Sequence, residues 1–159
     1  LKLISSPGNG CRFVLTMPVV NEVAFSPIEK SSIETDKLPD MRILVIDDEI
    51  DIRTSMRLLL EELGCQVITA DGIEQAIDAS KLNQFDIVFS DYRLRGDEDG
   101  IEAIRQVRHV QPKIGAVLIT GDTAPERLLN AQKAGIPMLH KPVSFEDIVK
   151  QLQISATRI

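Results

Sequence analysis

Aromatic residues and long apolar runs are scarce in this chain of 159 residues, which has no Trp, one Tyr and five Phe. A hydrophobic fraction of 43% nevertheless supplies enough aliphatic side chains for the core of one domain of ordinary size. No run approaches the roughly 20 apolar residues of a membrane-spanning helix. The sequence therefore predicts a chain that makes no membrane contact of its own.

Basic residues are also in the minority, since 18 Lys and Arg against 24 Asp and Glu give a net charge of −6. Binding to the phosphates of nucleic acid needs a basic surface, so direct contact with nucleic acid is not expected. Cys11 and Cys65 are far apart and lack the spacing of a metal site, which is typical of incidental or buried thiols in a reducing compartment. His109 and His140 lack such spacing as well and are expected to be structural.

The sequence divides near residue 40 into a short irregular part and a longer regular part. Within residues 1–20, apolar and polar residues alternate over residues 12–17 and predict one half-buried strand. Residues 21–40 contain prolines, serines and scattered charges without a sustained period, as expected of a linker. A first residue that is not Met predicts a fragment of a longer protein, in which residues 41–155 form the main domain.

Apolar runs alternate with segments of helical period throughout this main domain. Five strands alternating with five helices predict a parallel sheet covered by helices on both faces. The predicted strands are Arg42–Ile46, Gln66–Ala70, Phe85–Ser90, Ile114–Thr120 and Met138–His140. Three helix starts are predicted from pairs with capping-box spacing, namely Asp71 with Glu74, Thr123 with Glu126, and Ser144 with Asp147.

Polar residues recur where these predicted strands end, which is the edge at which open α/β sheets bind ligands. Asp47 and Asp48 follow the first strand, Asp91 follows the third, Thr120 ends the fourth and Lys141 follows the fifth. If the strand order is 2-1-3-4-5, the three carboxylates converge, and Thr120 and Lys141 approach them from the neighbouring strands. Taken singly, each residue has a common structural explanation such as a helix cap, a turn or a solvated lysine. One shared site explains all five.

The chemistry of this set points to phosphoryl transfer. Three carboxylates at one edge raise one another's pKa unless a cation lies between them. A few oxygen ligands, with room for water and a phosphoryl oxygen, suit Mg²⁺ better than Zn²⁺. A lysine can neutralise a phosphoryl group, a threonine hydroxyl can hydrogen-bond to it, and a carboxylate beside a metal is the arrangement that forms an aspartyl phosphate. The pattern predicts a Mg²⁺-dependent phosphorylation site at Asp91.

Four motifs, in this order and at this spacing, resemble the receiver (response-regulator) family of two-component signalling. They are Ile43–Glu49, Asp86–Asp91, Leu118–Gly121 and His140–Pro142. The resemblance extends over residues 41–155. It implies a flavodoxin-like, doubly wound (βα)5 fold with a five-stranded parallel sheet of order 2-1-3-4-5.

The resemblance also implies roles for individual residues. Asp91 would accept a phosphoryl group from a phosphohistidine, carried by a histidine-kinase or histidine-phosphotransfer domain. Mg²⁺ would be held by Asp48, Asp91 and the backbone carbonyl of Arg93, with Asp47 acting mainly through water. Thr120 and Lys141 would bind the phosphoryl oxygens.

Three features depart from the family pattern. Met138 stands where an aromatic residue is usual, and Arg95 stands where a proline is common. The loop Arg93–Asp99 is expected to be one residue longer than usual. At the mouth of the expected site, Arg93 and Asp122 are placed to pair and shield the phosphoryl group from water. This pairing is a hypothesis that predicts slow dephosphorylation.

Residues 8–18 resemble the closing strand of a histidine kinase's ATP-binding domain. Such a strand, followed by a linker and a receiver, is the layout of a hybrid histidine kinase. Residues 1–20 are therefore interpreted as the remnant of an upstream domain. The expected location is the cytoplasm, in a parent protein that has room for a membrane anchor upstream, and a homodimer is left open.

Two other functions stay open on the sequence alone. A Mg²⁺-dependent phosphatase or phosphotransferase with an aspartate nucleophile commonly needs a carboxylate two residues after a first-strand aspartate, and Glu49 holds that position relative to Asp47. Such enzymes also need a cap domain or insertion, for which no segment is long enough. A receiver-like interaction module that is never phosphorylated would not need the whole Asp, Thr and Lys set. Whether the chain counts as an enzyme is left open, because a receiver phosphorylates itself rather than turning over a substrate.

Overall fold

The computed structural model describes residues 2–6, 8, 10–16, 40–96, 98–121 and 125–157, and for residues 125–128 it describes only the backbone. The chain divides into two compact units, Leu1–Thr35 and Asp36–Ile159. In the first unit, β1 (Lys2–Ser5) pairs antiparallel with β2 (Cys11–Val14). A strand is therefore observed near the one predicted over residues 12–17, with the preceding segment as its partner, but it ends at Val14. The prediction that it is half-buried is wrong, because all four of its residues are exposed.

The described residues of the second unit alternate five strands with five helices. The strands are β3 (Arg42–Ile46), β4 (Gln66–Ala70), β5 (Ile87–Asp91), β6 (Gly115–Thr120) and β7 (Met138–His140). The helices are α1 (Ile50–Glu62), α2 (Ile73–Leu82), α3 (Gly100–Val110), α4 (Pro125–Lys133) and α5 (Phe145–Ala156). All neighbouring strands are parallel, in the order β4-β3-β5-β6-β7. This order confirms the predicted flavodoxin-like arrangement 2-1-3-4-5.

Strands β5 and β6 begin later than predicted. Phe85 lies before β5 because its backbone N–H donates to the side chain of Gln111 (N to Oε1, 2.9 Å) instead of to a neighbouring strand. The backbone N–H of Ile114 likewise donates to the carbonyl of Gln111 (3.1 Å). β5 continues through Asp91, which pairs with β6. The prediction that Asp91 follows its strand is therefore wrong by one residue, and the sheet fixes the backbone of this aspartate.

Aliphatic side chains fill both faces of the sheet. Alternate residues of β3 point to opposite sides, so that Leu44 joins one apolar cluster and Ile43 joins the other. Helices α2, α3 and α4 cover the first cluster, and α1 and α5 cover the second. Leu60 of α1 is fully buried, and Met56, Leu59 and Leu63 pack against the same cluster. None of the helices in the described ranges combines the length and the apolar character that crossing a bilayer requires.

The start of α5 confirms its predicted capping pair. The Ser144 hydroxyl oxygen accepts a hydrogen bond from the backbone N–H of Asp147 (3.1 Å) and donates to the Asp147 carboxylate (2.7 Å). This arrangement satisfies one of the backbone donors that every helix leaves unpaired at its first turn. The pair predicted for the start of α4 begins at Thr123, which lies outside the described residues.

The start of α2 corrects its predicted capping pair. The residue before the helix is Gly72 rather than Asp71, and it has no side chain to act as a cap. The cap comes from a distant loop instead, because the Glu98 carboxylate accepts a hydrogen bond from the backbone N–H of Ile73 (3.2 Å). Local spacing cannot reveal a partner that lies 25 residues further along the chain.

Candidate functional site

Two buried aspartates and one lysine meet at the carboxyl-terminal edge of the parallel sheet. The Lys141 Nζ atom lies 2.8 Å from Asp91 Oδ1 and 3.8 Å from Asp47 Oδ2. The aspartates are brought together because β3 and β5 are direct neighbours in the sheet. Lys141 is held at the same edge by its backbone N–H, which donates to the carbonyl of Thr120 (2.8 Å). The structure thus brings Asp47, Asp91 and Lys141 together, as the sequence predicted.

Each aspartate is oriented in the same way. One oxygen accepts a backbone hydrogen bond from the residue two positions on, from Glu49 N to Asp47 Oδ1 (2.9 Å) and from Arg93 N to Asp91 Oδ2 (3.2 Å). The other oxygen of each faces Lys141. Asp47 and Asp91 are only 4% and 9% exposed, so these few contacts decide how their charges are balanced.

Burial and like charge oppose ionisation at Asp47. Burial is the main cause that raises the pKa of its carboxyl above the usual value, and the charges of Asp91 and Asp48 add to it. The hydrogen bond from Glu49 and the charge of Lys141 act in the opposite direction but do not cancel the effect. One lysine therefore does not fully neutralise the carboxylates at this edge.

The balance is different at Lys141. Burial is the largest single effect and acts to lower the pKa of the amine, but it is outweighed. The hydrogen bond to Asp91 and the charges of Asp91, Asp47 and Glu49 raise the pKa above its ordinary value. The lysine is therefore cationic at neutral pH.

The remaining residues of the predicted set line an open cleft of about 570 Å³ above this cluster. Thr120 is 3% exposed and ends β6 beside Lys141. Asp48 is more accessible, and its Oδ2 atom lies 3.8 Å from Arg95 Nε. The residues that line the cleft are Asp48, Glu49, Asp91, Tyr92, Arg93, Leu94, Thr120, Gly121 and Lys141.

The donor set at this edge fits a hard divalent cation. No three acidic, His or Cys side chains form a ready cage for a metal within the described ranges. Mg²⁺ does not require one, since it commonly binds one or two carboxylates and keeps several waters. The observation that favours a cation here is the excess of carboxylates, since Asp47 and Asp91 share one lysine and Asp48 lines the same cleft. Asp48 and Asp91 line the cleft as further oxygen donors, and the role of the Arg93 carbonyl stays a prediction.

The loop after β5 contains a close contact that sequence reasoning missed. The backbone N–H of Gly100 donates to the carbonyl of Tyr92 (2.9 Å) and begins α3 directly behind the site. A Cβ atom on Gly100 would collide with the carbonyl oxygen of Asp91 and come within 2.8 Å of Leu118 Cδ1. Only glycine fits here, so Gly100 sets how closely α3 approaches the aspartate.

Asp99 is the cap of α3, a role that sequence reasoning also missed. Its side chain accepts a hydrogen bond from the backbone N–H of Glu102 (2.8 Å). The signal was present, because the two residues have the same capping-box spacing that was used at other helix starts. An isolated antiparallel bridge between Arg93 and Asp99 closes the loop that precedes the helix.

One departure from the family pattern is explained by the structure, and one hypothesis about the mouth of the site is left untested. Met138 is half-buried and packs against the apolar cluster covered by α2, α3 and α4, so it fills core space where an aromatic residue was expected. The proposed pairing of Arg93 with Asp122 stays a hypothesis, because Asp122 lies outside the described residues. Arg93 itself is held at the site by its backbone contact with Asp91.

Comparison with known proteins points to one family. The model of the response regulator receiver domain matches residues 43–153. The alginate biosynthesis transcriptional regulatory protein AlgB of Pseudomonas aeruginosa is 33% identical over 126 residues, which cover 76% of this chain and 28% of that protein. The sensory/regulatory protein RpfC of Xanthomonas campestris pv. campestris is 31% identical over 131 residues, which cover 77% of this chain and 18% of that protein.

A solved structure agrees with these matches. It is a response regulator protein from Burkholderia pseudomallei, crystallised with a phosphorylated aspartic acid, a calcium ion and citrate. The TM-score is 0.66 at 28% identity, and the match covers 74% of this chain and 69% of that chain. The present chain therefore spans most of this structure but little more than a quarter of AlgB.

Proposed function

Because the chain belongs to the response regulator receiver domain family, we propose that Asp91 is the residue that accepts a phosphoryl group from a phosphohistidine. The observation that carries the proposal is the setting of its carboxylate. Asp91 is buried at the end of β5, with one oxygen held by a backbone N–H and the other 2.8 Å from the Lys141 ammonium. A carboxylate fixed in this way is preorganised to act as a nucleophile.

In the transfer, an oxygen of Asp91 forms a bond to phosphorus while the bond from phosphorus to the histidine nitrogen breaks. The imidazole leaves with the electron pair of that bond and takes up a proton. Lys141 is already at the nucleophile and can follow the charge onto the phosphoryl oxygens, where the hydroxyl of Thr120 also binds. Bound Mg²⁺ supplies positive charge that offsets the carboxylates and the phosphoryl oxygens. Asp48, Asp91 and the carbonyl of Arg93 would hold it, and Asp47 would act mainly through water.

Phosphorylation adds about 1.5–2 negative charges and three acceptor oxygens. This charge draws Thr120 and Lys141 toward the phosphoryl group and biases two arrangements of the sheet edge and the nearby helices. The partners are a histidine-kinase or histidine-phosphotransfer domain, in the cytoplasm, with no direct contact to nucleic acid by this segment. A homodimer of the receiver is compatible with this change at the sheet edge and the nearby helices.

The wider context that we propose is a hybrid histidine kinase. Residues 41–155 are then its receiver, residues 21–40 a linker and residues 1–20 the end of an upstream ATP-binding domain. The similarity to a sensory/regulatory protein favours this layout, whereas the similarity to a transcriptional regulatory protein favours a receiver with another output domain. Intact mass and peptide mapping of the protein purified from its source distinguish the two, because only the hybrid yields peptides of a kinase domain upstream of Leu1.

The decisive experiment is incubation with acetyl phosphate and Mg²⁺, followed by intact-mass measurement. We expect a single phosphoryl adduct that is lost in Asp91→Asn and in the presence of EDTA. Asp78→Asn is the matched control, since it makes the same change on an exposed helical aspartate and should leave the adduct intact. Turnover of added phosphate esters without a stable adduct would instead identify a phosphatase. No adduct and no turnover would identify an interaction module.

A further inference from the structure

Arg95 forms an ion pair with Asp48, one of the carboxylates assigned to the cation site. The guanidinium Nε atom lies 3.8 Å from Asp48 Oδ2, and the two side chains are 83% and 25% exposed. Asp48 is also more exposed than either Asp47 or Asp91, so it is the carboxylate that an arriving cation can reach most easily. The sequence had shown only that Arg95 occupies a position where proline is common in the family.

The loop that carries Arg95 is anchored on both sides of it. Leu94 is 6% exposed in the core, and its backbone N–H donates to the carbonyl of Glu98 (3.3 Å). Glu98 in turn caps the start of α2 through Ile73. These contacts hold the backbone beside the cleft, so the long arginine side chain extends over Asp48 from a fixed base. The arginine head itself is mostly in water and is free to move.

We propose that Arg95 is an internal counter-ion for Asp48 that competes with the divalent cation for this carboxylate. The inference rests on the proposed cation site. Asp48 cannot direct the same oxygen to both positive charges at close range, and a bound divalent cation would repel the guanidinium. Because Arg95 is so exposed, it leaves Asp48 for water at small cost. Arg95 thus weakens cation binding, because the cation must displace the guanidinium from a carboxylate whose charge is already balanced.

The test measures the dissociation constant of Mg²⁺ for the full chain and for Arg95→Gln. Tyr92 is the only tyrosine, there is no Trp, and Tyr92 lines the cleft directly after Asp91. Its fluorescence therefore reports binding, and calorimetry measures the same constant independently. Since exposed ion pairs contribute about 0.2–1 kcal/mol, we expect Arg95→Gln to bind Mg²⁺ up to about fivefold more tightly.

The matched control is Arg57→Gln on α1, which removes the same charge from another ion pair with Glu61. It should leave the dissociation constant close to that of the parent chain. Arg95→Lys keeps the charge on a shorter donor and should give an intermediate value. The gain in Arg95→Gln should also shrink as salt is added, because salt screens an exposed pair.

Equal tightening in Arg95→Gln and Arg57→Gln would overturn the inference, because the effect would then be one of net charge. Weaker binding in Arg95→Gln would also overturn it and would make Arg95 a support of the cation site. If the parent chain gave no Mg²⁺ response by calorimetry, the inference would fail together with the cation part of the proposed function. A chain that binds Mg²⁺ as expected but forms no phosphoryl adduct would contradict the proposed function alone.

Discussion

The two ends of the parallel sheet bury polar side chains in opposite ways. At the amino-terminal end, Gln111 is 6% exposed and all of its amide groups are paired. Its Nε2 atom donates to the carbonyls of Ser80 (2.7 Å) and Asn83 (2.6 Å), and its Oε1 atom accepts from the backbone N–H of Phe85 (2.9 Å). At the carboxyl-terminal end, carboxylates outnumber the lysine that they share, and burial raises the pKa of Asp47.

The difference separates stability from function. A closed and neutral network such as that of Gln111 joins the ends of α2 and α3 to the start of β5, and it has no capacity left for a ligand. The charged cluster at the other end is incompletely balanced by its own residues, so an added cation or phosphoryl group changes its energy strongly. Substitutions at the first end should therefore cost stability, and substitutions at the second should cost function.

The largest expected effect is the loss of function in Asp91→Asn without loss of the fold. The amide is a poor nucleophile, so the acetyl phosphate adduct should disappear completely. The amide has nearly the shape of the carboxylate, and its oxygen can still accept from the N–H of Arg93, so the free energy of unfolding in urea should change by no more than about 1 kcal/mol. A variant that loses the adduct because it is unfolded would contradict the separation of the two ends.

Gln111→Met should have the opposite result. Methionine has a similar volume but removes the partner of the buried Ser80 carbonyl, the half-buried Asn83 carbonyl and the Phe85 N–H, at a cost of about 2–4 kcal/mol in the free energy of unfolding. Urea denaturation measures the loss, and Gln153→Met at an exposed position of α5 serves as the control. Phosphorylation of the folded fraction should persist. Equal stability of the two variants would mean that the network contributes nothing.

Ser144→Ala tests whether every polar residue near the charged end serves the site. Ser144 follows Lys141 closely in sequence, but its hydroxyl caps α5. The variant should lose about 1 kcal/mol of stability and keep the phosphoryl adduct. Ser55→Ala, in the middle of α1, removes a hydroxyl that donates to the carbonyl of Asp51 within the same helix and should be close to neutral. A reduced adduct in Ser144→Ala would extend the functional site to this cap.

The smallest expected effect is a gain of stability in Asp47→Asn. Because the pKa of Asp47 is raised on folding, the folded state favours the neutral carboxyl, and that contribution is lost as pH rises through the folded-state pKa. In metal-free buffer at neutral pH, the variant should therefore be more stable than the parent by roughly 0.5–1 kcal/mol, the lower end of the range for single substitutions. The gain should shrink in acid. Urea denaturation across a pH series measures it, and a gain independent of pH would rule out ionisation as its cause.

Much of the fold and of the site was predictable because both depend on local sequence patterns. Apolar runs marked three strands with their observed bounds, and the residues at strand ends led directly to Asp47, Asp91 and Lys141. The parallel topology then brings strand ends together without further information. The site was therefore predictable to the extent that it depends on the backbone of the sheet.

Most of the contacts that escaped prediction cross between segments, and the cap of α3 by Asp99 is the local exception. No pattern in the sequence singles out Gln111. Its structural role depends on three hydrogen-bond partners in another part of the chain. Glu98 caps a helix that begins 25 residues earlier. Arg95 was noticed as an unusual residue, but its pairing with Asp48 depends on the path of a loop. Such contacts become visible only once the loops have positions.

The position of Lys141 just after the last strand of the sheet has a consequence for folding during synthesis. A chain emerges from the ribosome amino end first. β3 and β5 can thus pair, and bring Asp47 and Asp91 side by side, before β7 has been synthesised. A domain that folds in this order passes through a stage in which its two buried acids face each other without Lys141, and the final strand relieves that repulsion when it docks.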